Sequence, residues 1–199
     1  NRLREKVDYF LEDHPDHELT GVGVGAPNGN HFTGVIQDPP NLNWGDVDIV
    51  SILKNFFSYD IILTNDANAA ALGEKKFGIA KDMNDFVMIT LGTGLGSGIF
   101  TNGSLLYGYD GFAGEMGHLS IDPEGRLCNC GRKGCLEMYV SAKGIRKSVN
   151  KLKVKNPDDT FIQSLPEKGL DGRVLDKAFD AGERAAIELY QFTGEKLGI

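Results

Sequence analysis

The sequence has no long apolar run, no stripe of basic residues and few cysteines, and each absence excludes a class of protein. None of its 199 residues fall in an apolar stretch near the roughly 20 residues that a membrane-spanning helix needs. The 21 lysines and arginines are scattered through a chain of formal net charge -7, which argues against a nucleic-acid-binding surface in this segment. With 41% hydrophobic and 25% charged residues, the composition predicts a soluble globular protein without a membrane partner.

Two common nucleotide-binding signatures are also missing. The chain has no P-loop with its Gly-Lys-Ser/Thr ending, and it lacks the protein-kinase catalytic set. Any nucleotide site here therefore belongs to another class.

Both ends lack the signals of a natural terminus. Asn1 stands where an initiator methionine is expected, and Leu197-Gly198-Ile199 stops directly after an amphipathic helical stretch. We interpret the chain as an internal fragment of a longer protein.

Hydrophobic spacing and turn residues predict helices that are interspersed with strands. Helices are expected over residues 2–12, 47–57, 67–77, 136–150 and 175–196, strands over 20–25, 60–64, 86–91 and 97–100, and polar connectors over 37–44 and 151–171. Two predicted strands end in corners, at residues 26–29 and 65–66, and such corners often hold ligands.

All three cysteines lie between Cys128 and Cys135, with Cys130 between them, and His118 precedes them by ten positions. An odd number of cysteines so close together disfavours a disulfide framework. One histidine and three cysteines supply the four ligands of a closed tetrahedral zinc site. We therefore predict a structural zinc ion; the alternative is three free thiols and an ordinary polar histidine.

An asparagine and an aspartate stand where a predicted strand meets an alanine-rich helix. At the carboxyl end of a strand, the Asp66 carboxylate can project into a cleft and act as a general base. Helix capping by Asn65 or Asp66 is an equally good interpretation of this segment alone.

The glycine-rich run Gly92-Thr93-Gly94-Leu95-Gly96 separates two predicted strands. It offers several backbone amides without bulky side chains, and one hydroxyl, which suits the close approach of a phosphate group. A hairpin that only reverses the chain is equally compatible with the segment.

Two glutamates flank the predicted metal ligands: Glu115 lies three residues before His118, and Glu137 two residues after Cys135. A metal would hold both acids in position, and carboxylates are typical ligands of sugar hydroxyls. For each of them the alternative is a solvated surface glutamate.

Together these segments resemble the ROK family, which contains bacterial glucokinases, other hexose and N-acetylhexosamine kinases, and sugar-sensing transcriptional repressors. The run from Thr64 to Glu74, TNDANAAALGE, is similar to the family's catalytic segment, and the glycine run to its second phosphate loop. The segment from Gly114 to His118 and the run CNCGRKGCLE, which ends at Glu137, are similar to its zinc signature.

The resemblance implies an α/β fold of the actin-like ATPase (ribonuclease H-like) class, with a mixed sheet flanked by helices and a zinc-binding loop. Residues 1–65 would end the small N-terminal domain and residues 66–199 would belong to the large C-terminal domain. Asp66 would be the catalytic base. The resemblance also assigns sugar binding to Asn65, Asp66, Glu115, His118 and Glu137. It assigns phosphate binding to Gly92, Thr93 and Gly94. It assigns zinc binding to His118, Cys128, Cys130 and Cys135. Gly25 to Gly29 and Asn43 lie where the family lines its sugar pocket.

The function implied is a cytoplasmic, homo-oligomeric sugar kinase, a dimer or tetramer, that uses ATP with Mg²⁺ to phosphorylate a hexose, foremost glucose. The family's N-terminal Asp-x-Gly-Gly-Thr loop and its C-terminal glycine-rich adenosine segment are absent, so we expect the fragment alone to be inactive. A sugar-responsive repressor with its helix-turn-helix upstream is the alternative. A stand-alone zinc-binding interaction module ranks last, since it leaves Asn65, Asp66 and the glycine run unexplained.

Overall fold

A computed structural model describes residues 2–39 and 43–199 of the chain. Asn1 and part of the predicted connector over 37–44 lie outside the described residues. The helices are α1 (Arg2–Asp13), α2 (Ile49–Lys54), α3 (Asp66–Phe77), α4 (Glu137–Val140), α5 (Ala142–Lys155), α6 (Thr160–Ser164), α7 (Gly172–Asp180) and α8 (Arg184–Leu197). The strands are β1 (Val22–Gly25), β2 (Val35–Ile36), β3 (Val47–Asp48), β4 (Ile61–Thr64), β5 (Phe86–Leu91), β6 (Leu95–Thr101) and β7 (Ser104–Leu105).

The chain forms two compact units. The first contains residues 1–88 and 98–114, and the second contains residues 89–97 and 115–199. The assignment of residues 1–65 and 66–199 to a small and a large domain stays a prediction.

The first unit is built around two parallel strands, β1 and β4, whose register places Val22 beside Ile61 and Gly25 beside Thr64. Both strands therefore end at the same edge of their sheet. A small apolar core of Ala26, Ile36 and Leu63 lies beneath this edge. The alanine-rich α3 starts immediately after β4, because alanine favours helix and Asn65 caps the first turn.

Strands β5, β6 and β7 form a separate three-stranded sheet in that order. The β6–β7 turn is made by Asn102 and Gly103, both in the left-handed region with φ of 51° and 75°, the geometry of a tight hairpin turn. Strand β6 begins at Leu95. The loop between β5 and β6 is therefore Gly92 to Gly94, two residues shorter than the sequence predicts.

The second unit is mainly helical, and the structure divides both of its long predicted helices. Instead of one helix over residues 136–150, α4 and α5 are separated by the extended backbone of Ser141, whose hydroxyl accepts the Gly144 amide. Instead of one helix over residues 175–196, α7 and α8 are separated by Gly182, whose φ is 80°. In both cases a local capping or left-handed geometry outweighs a continuous apolar period.

Two further predicted bounds are wrong. The helix predicted over residues 47–57 shortens to α2, because Val47 and Asp48 pair with β2 and the Asp48 carboxylate caps the Ser51 amide. The predicted connector over residues 151–171 contains the last turn of α5 and all of α6. The helix over residues 2–12 is confirmed as α1, and that over residues 67–77 as α3. In the described part of the chain, no helix combines the length and the apolar character that a bilayer crossing requires.

Close packing between β6 and α3 gives a testable prediction. A Cβ atom at Gly98 would lie 2.6 Å from the Ala71 Cβ. Gly98→Ala should therefore lower the free energy of unfolding by about 1–3 kcal/mol through overpacking, as measured by urea denaturation. Gly23 in β1 is the matched control, because no atom lies within 4 Å of a Cβ placed there. Equal stability of the Gly98→Ala and Gly23→Ala variants would contradict this packing.

Candidate functional site

The residues that the sequence singles out are distributed over both units. Asn65 and Asp66 lie in the first unit with Gly25 to Gly29 and Asn43. The second unit contains the other predicted site residues, Gly92, Thr93, Gly94, Glu115, His118, Cys128, Cys130, Cys135 and Glu137. Each unit has its own constellation of functional groups.

In the first unit, Asn65 and Asp66 follow β4 and begin α3. The Asn65 Oδ1 accepts the Ala67 amide at 2.8 Å, so Asn65 is the helix cap. The Asp66 Oδ1 accepts the same amide at 3.0 Å. The Asp66 side chain is exposed, and in the described part of the chain no donor reaches its Oδ2. Asp66 therefore presents an anionic oxygen to solvent at the start of a helix.

The structure brings the loop after β1 to the same corner. The Ala26 amide donates to the Thr64 carbonyl, and a Cβ at Gly29 would lie 2.6 Å from that carbonyl oxygen. A Cβ at Gly25 would lie 3.6 Å from the Asp66 Cα. Glycine is therefore required at position 29, and the Gly25 to Gly29 loop lies directly beside the Asp66 backbone. Asn43 is exposed in a turn that follows the undescribed residues 40–42.

Sequence reasoning missed two buried polar side chains at this corner. Thr64 is 6% exposed and Asn68 is 2% exposed. Among the described residues, neither the Thr64 Oγ1 nor the Asn68 Oδ1 has a hydrogen-bond partner. Buried polar atoms nearly always have a hydrogen-bond partner, so these two exceptions require an explanation. The sequence carried a weak signal for them, since both residues flank Asn65 and Asp66.

In the second unit, Glu137 joins the glycine loop to the cysteine segment. Its Oε2 accepts the Leu95 amide at 3.0 Å, directly after the loop. A Cβ at Gly94 would lie 2.3 Å from the same oxygen, so a larger residue there would displace the Glu137 carboxylate. The Gly92 carbonyl accepts the Ala142 amide at 2.9 Å, which ties the loop to the start of α5.

The loop itself leaves donors available. The amides of Thr93 and Gly94 donate to no acceptor among residues 2–39 and 43–199, and Thr93 is exposed. Adjacent free amides on a loop without bulky side chains form a suitable cradle for an anion.

A 3₁₀ turn over Met116–His118 carries the histidine, and Glu115 precedes this turn as an exposed residue. A Cβ at Gly117 would lie 2.6 Å from the Leu95 carbonyl oxygen. The turn therefore packs directly against the start of β6. The glycine loop, Glu137 and His118 are neighbours in the second unit.

The structure brings His118 and the three cysteines together. Their ligand atoms all lie within 4.8 Å of one another. The Cys128 Sγ lies 3.6 Å from the His118 Nδ1, and the Cys130 Sγ lies 3.6 Å from the Cys135 Sγ. A tetrahedron with Zn–S of about 2.3 Å and Zn–N of about 2.0 Å has edges of about 3.5–3.8 Å. The four residues therefore form a possible metal site whose dimensions suit zinc.

The loop around these ligands depends on two glycines. Gly131 and Gly134 have φ of 86° and 76°, which L side chains rarely adopt. A Cβ at Gly134 would lie 1.8 Å from the Asp122 carbonyl oxygen. The chain could not fold back so closely on itself with a larger residue at position 134.

The thiols of this cluster differ in acidity. Burial, together with hydrogen bonds to Cys130 and Cys128, raises the pKa of the Cys135 thiol to about 12. At Cys130 partial burial opposes ionisation, but hydrogen bonds with Arg132 and the neighbouring thiols outweigh it and lower the pKa to about 6. The lowered pKa of Cys130 favours its thiolate, the form that binds metal.

The family model of the ROK family matches residues 1–199 of the chain. The xylose repressor of Bacillus spizizenii is 38% identical over 149 residues, which are 74% of this chain and 39% of the repressor. The glucokinase of Thermotoga maritima is 36% identical over 190 residues, which are 93% of this chain and 59% of the glucokinase. The chain therefore spans about two-fifths to three-fifths of the length of these relatives.

Two solved structures are similar over nearly the whole chain. One is a ROK family transcriptional regulator, a homolog of the E. coli MLC protein, with a TM-score of 0.84 at 28% identity. The match covers 99% of this chain and 50% of the regulator. A ROK family glucokinase from Streptomyces griseus, in complex with glucose and AMPPNP, has a TM-score of 0.78 at 27% identity over 98% of this chain and 64% of its own. The α/β class is confirmed, and the chain belongs to the ROK family.

Proposed function

We propose that the full-length protein is an ATP-dependent hexose kinase with Asp66 as its general base, and that glucose is the hexose. The observation that carries this proposal is the exposed Asp66 carboxylate, which keeps one oxygen available while the other holds the first turn of α3. The glucose and AMPPNP bound by the similar S. griseus enzyme support the choice of substrates.

In this proposal Asp66 accepts the proton of the sugar hydroxyl that attacks the terminal phosphate of ATP. Catalysis of phosphoryl transfer consists largely of positioning and charge stabilisation. Asn65 holds the helix start in place and offers its amide nitrogen to a sugar hydroxyl. A magnesium ion supplies neutralisation of the phosphate charge when it is bound.

The second unit supplies the remaining contacts of the proposal. The free amides of Thr93 and Gly94, in the glycine loop, donate to phosphate oxygens. Glu115 and Glu137 bind sugar hydroxyls, as does His118, whose Nε2 stays available when Nδ1 faces the cysteines. Zinc held by His118 and the three cysteines would fix the shape of this segment. Its role would be structural, because a closed four-ligand shell leaves no position for a reactive water.

A sugar-responsive transcriptional repressor is the second candidate. It is favoured by the xylose repressor similarity and by the TM-score of 0.84 to the ROK regulator. In a repressor the sugar would shift a DNA-binding equilibrium and would not be consumed. ATP consumption by the full-length protein with glucose, mannose, fructose, N-acetylglucosamine and N-acetylmannosamine distinguishes the two. Turnover with any of these sugars supports the kinase, and sugar-dependent DNA binding without turnover supports the repressor.

Asp66→Asn should lower kcat of the full-length protein by about 10²- to 10⁴-fold, because an amide cannot accept the proton. The dissociation constant for glucose should change little, since the side-chain carbonyl of the substituted residue can still accept the Ala67 amide and preserve the cap. Steady-state kinetics and calorimetric glucose binding measure the two quantities. Asp82→Asn, in an exposed turn, is the matched control. An unchanged kcat in the Asp66→Asn variant would refute the role of Asp66.

Protein purified without chelator should contain one zinc ion per chain, as measured by elemental mass spectrometry. Cys128→Ser should abolish this content and lower the melting temperature, because metal binding contributes directly to folding free energy. Asn129→Ala, an exposed position between two ligands, should leave both values unchanged. Absence of stoichiometric zinc in the unsubstituted protein would contradict the assignment.

A further inference from the structure

A basic groove lies in the second unit between the cysteine segment, α5 and α8. Two cavities of about 290 and 400 Å³ make up the groove, and they share Arg126, Lys151 and Phe192 as lining residues. Leu152 and Leu189 add apolar surface to the smaller cavity. These sizes are at the lower end of the range for small-molecule sites. None of the residues assigned above to sugar, phosphate or metal lines the groove.

Arg126 gives the groove a partly buried positive charge. Its guanidinium donates to the carbonyls of Met138 and Gly144 and to the Ser148 hydroxyl, at 2.8 to 2.9 Å. All three acceptors are neutral, and no carboxylate in the described part of the chain forms an ion pair with Arg126. The guanidinium also lies over the rings of Tyr139 and Phe192, 4.7 and 5.6 Å from their centroids, so all of these contacts are to neutral groups.

The lysines of the groove increase this potential. The Lys196 ammonium lies over the rings of Tyr139 and Phe192, 5.6 and 5.8 Å from their centroids. Lys151 is exposed, and among residues 2–39 and 43–199 its ammonium has neither a hydrogen-bond nor an ion-pair partner. Ammonium groups that contact only rings or solvent can bind an incoming anion at little cost.

The carboxylates of the groove are already engaged. Glu188 pairs with Lys155 at 2.6 Å, and Asp122 accepts the Tyr139 hydroxyl at 3.1 Å. The four cations that line the groove therefore exceed its two carboxylates by two charges. This excess is local, since the whole chain has a formal net charge of -7.

We propose that the basic groove is a binding site for a small phosphomonoester with an apolar body. The excess of two positive charges matches a phosphate dianion, which also supplies three acceptor oxygens for the lysine and arginine donors. Leu152, Leu189 and Phe192 would contact the apolar body of the ligand. The site does not depend on the proposed kinase activity.

Arg126 connects the basic groove to the residues of the candidate site. This residue precedes the metal ligand Cys128 by two positions, and it donates to the carbonyl of Met138, the neighbour of Glu137. A ligand that contacts the Arg126 guanidinium therefore contacts the side chain that links the chain before Cys128 to the backbone of α4.

Calorimetric titration of phenyl phosphate into the full-length protein tests the proposal, with inorganic phosphate, benzoate and benzyl alcohol as comparison probes. We expect saturable binding of phenyl phosphate, weaker binding of inorganic phosphate and benzoate, and none of benzyl alcohol. Saturating glucose and AMPPNP are present throughout, so that binding at the glycine loop does not contribute. The Lys151→Gln variant separates binding in the basic groove from binding at the glycine loop, whether or not the kinase proposal holds.

Lys151→Gln combined with Lys196→Gln should raise the dissociation constant of phenyl phosphate by about tenfold or more, because two charge-assisted contacts are lost. Lys147→Gln, one turn earlier on α5 and outside both cavities, should leave it unchanged. If the double variant melts at a lower temperature, Lys151→Gln alone is measured, since that side chain is exposed and makes no ion pair in the described part of the chain.

Three results would overturn the proposal. They are absence of saturable phenyl phosphate binding, equal affinity for inorganic phosphate or benzyl alcohol, and an unchanged dissociation constant in the Lys151→Gln variant.

Discussion

The hydrogen bond from the Leu95 amide to the Glu137 carboxylate connects the functional segments of the second unit. Glu137 starts α4 two residues after the last cysteine, and Leu95 starts β6 one residue after the glycine loop. A side chain at position 94 would displace the Glu137 carboxylate from this contact, and one at position 117 would collide with the Leu95 carbonyl oxygen. The cysteine segment thereby sets the position of the glycine loop, although the two are about 40 residues apart in sequence.

The start of α3 combines a helix cap with the carboxylate of the proposed base. Asn65 caps the helix, and Asp66 uses one oxygen for the same amide. Helix capping and catalysis are therefore compatible at this corner and need not be alternatives. Because a carboxylate has two oxygens, Asp66 can stabilise the first turn and still present an acceptor to a substrate. The buried, unpaired atoms of Thr64 and Asn68 lie on either side of this pair.

Kinases and repressors within one family can share every feature described here. A sugar pocket binds a hexose whether the sugar is then phosphorylated or shifts an equilibrium between two conformations. A closed metal site would stabilise the loop in both cases. A kinase requires the Asp66 carboxylate and the free amides of the glycine loop, whereas a sensor can retain both without using them.

The sequence by itself determined the chemistry of the segments, because that chemistry depends on residue type and short spacing. Three cysteines within eight residues, the Asn65–Asp66 pair at a strand end and the glycine-rich run were all recognisable without coordinates. Helix α3 was predictable for the same reason, since alanine propensity and a capping residue are local.

Only the tertiary structure decided which segments meet. Glu137 contacts Leu95 across a long sequence separation, and the parallel pairing of β1 with β4 brings Gly29 to the Thr64 carbonyl. The breaks at Ser141 and Gly182 interrupt helices whose apolar period continues across them. The basic groove had no sequence signal, because its cations come from the cysteine segment, α5 and α8 and meet only when these elements pack together.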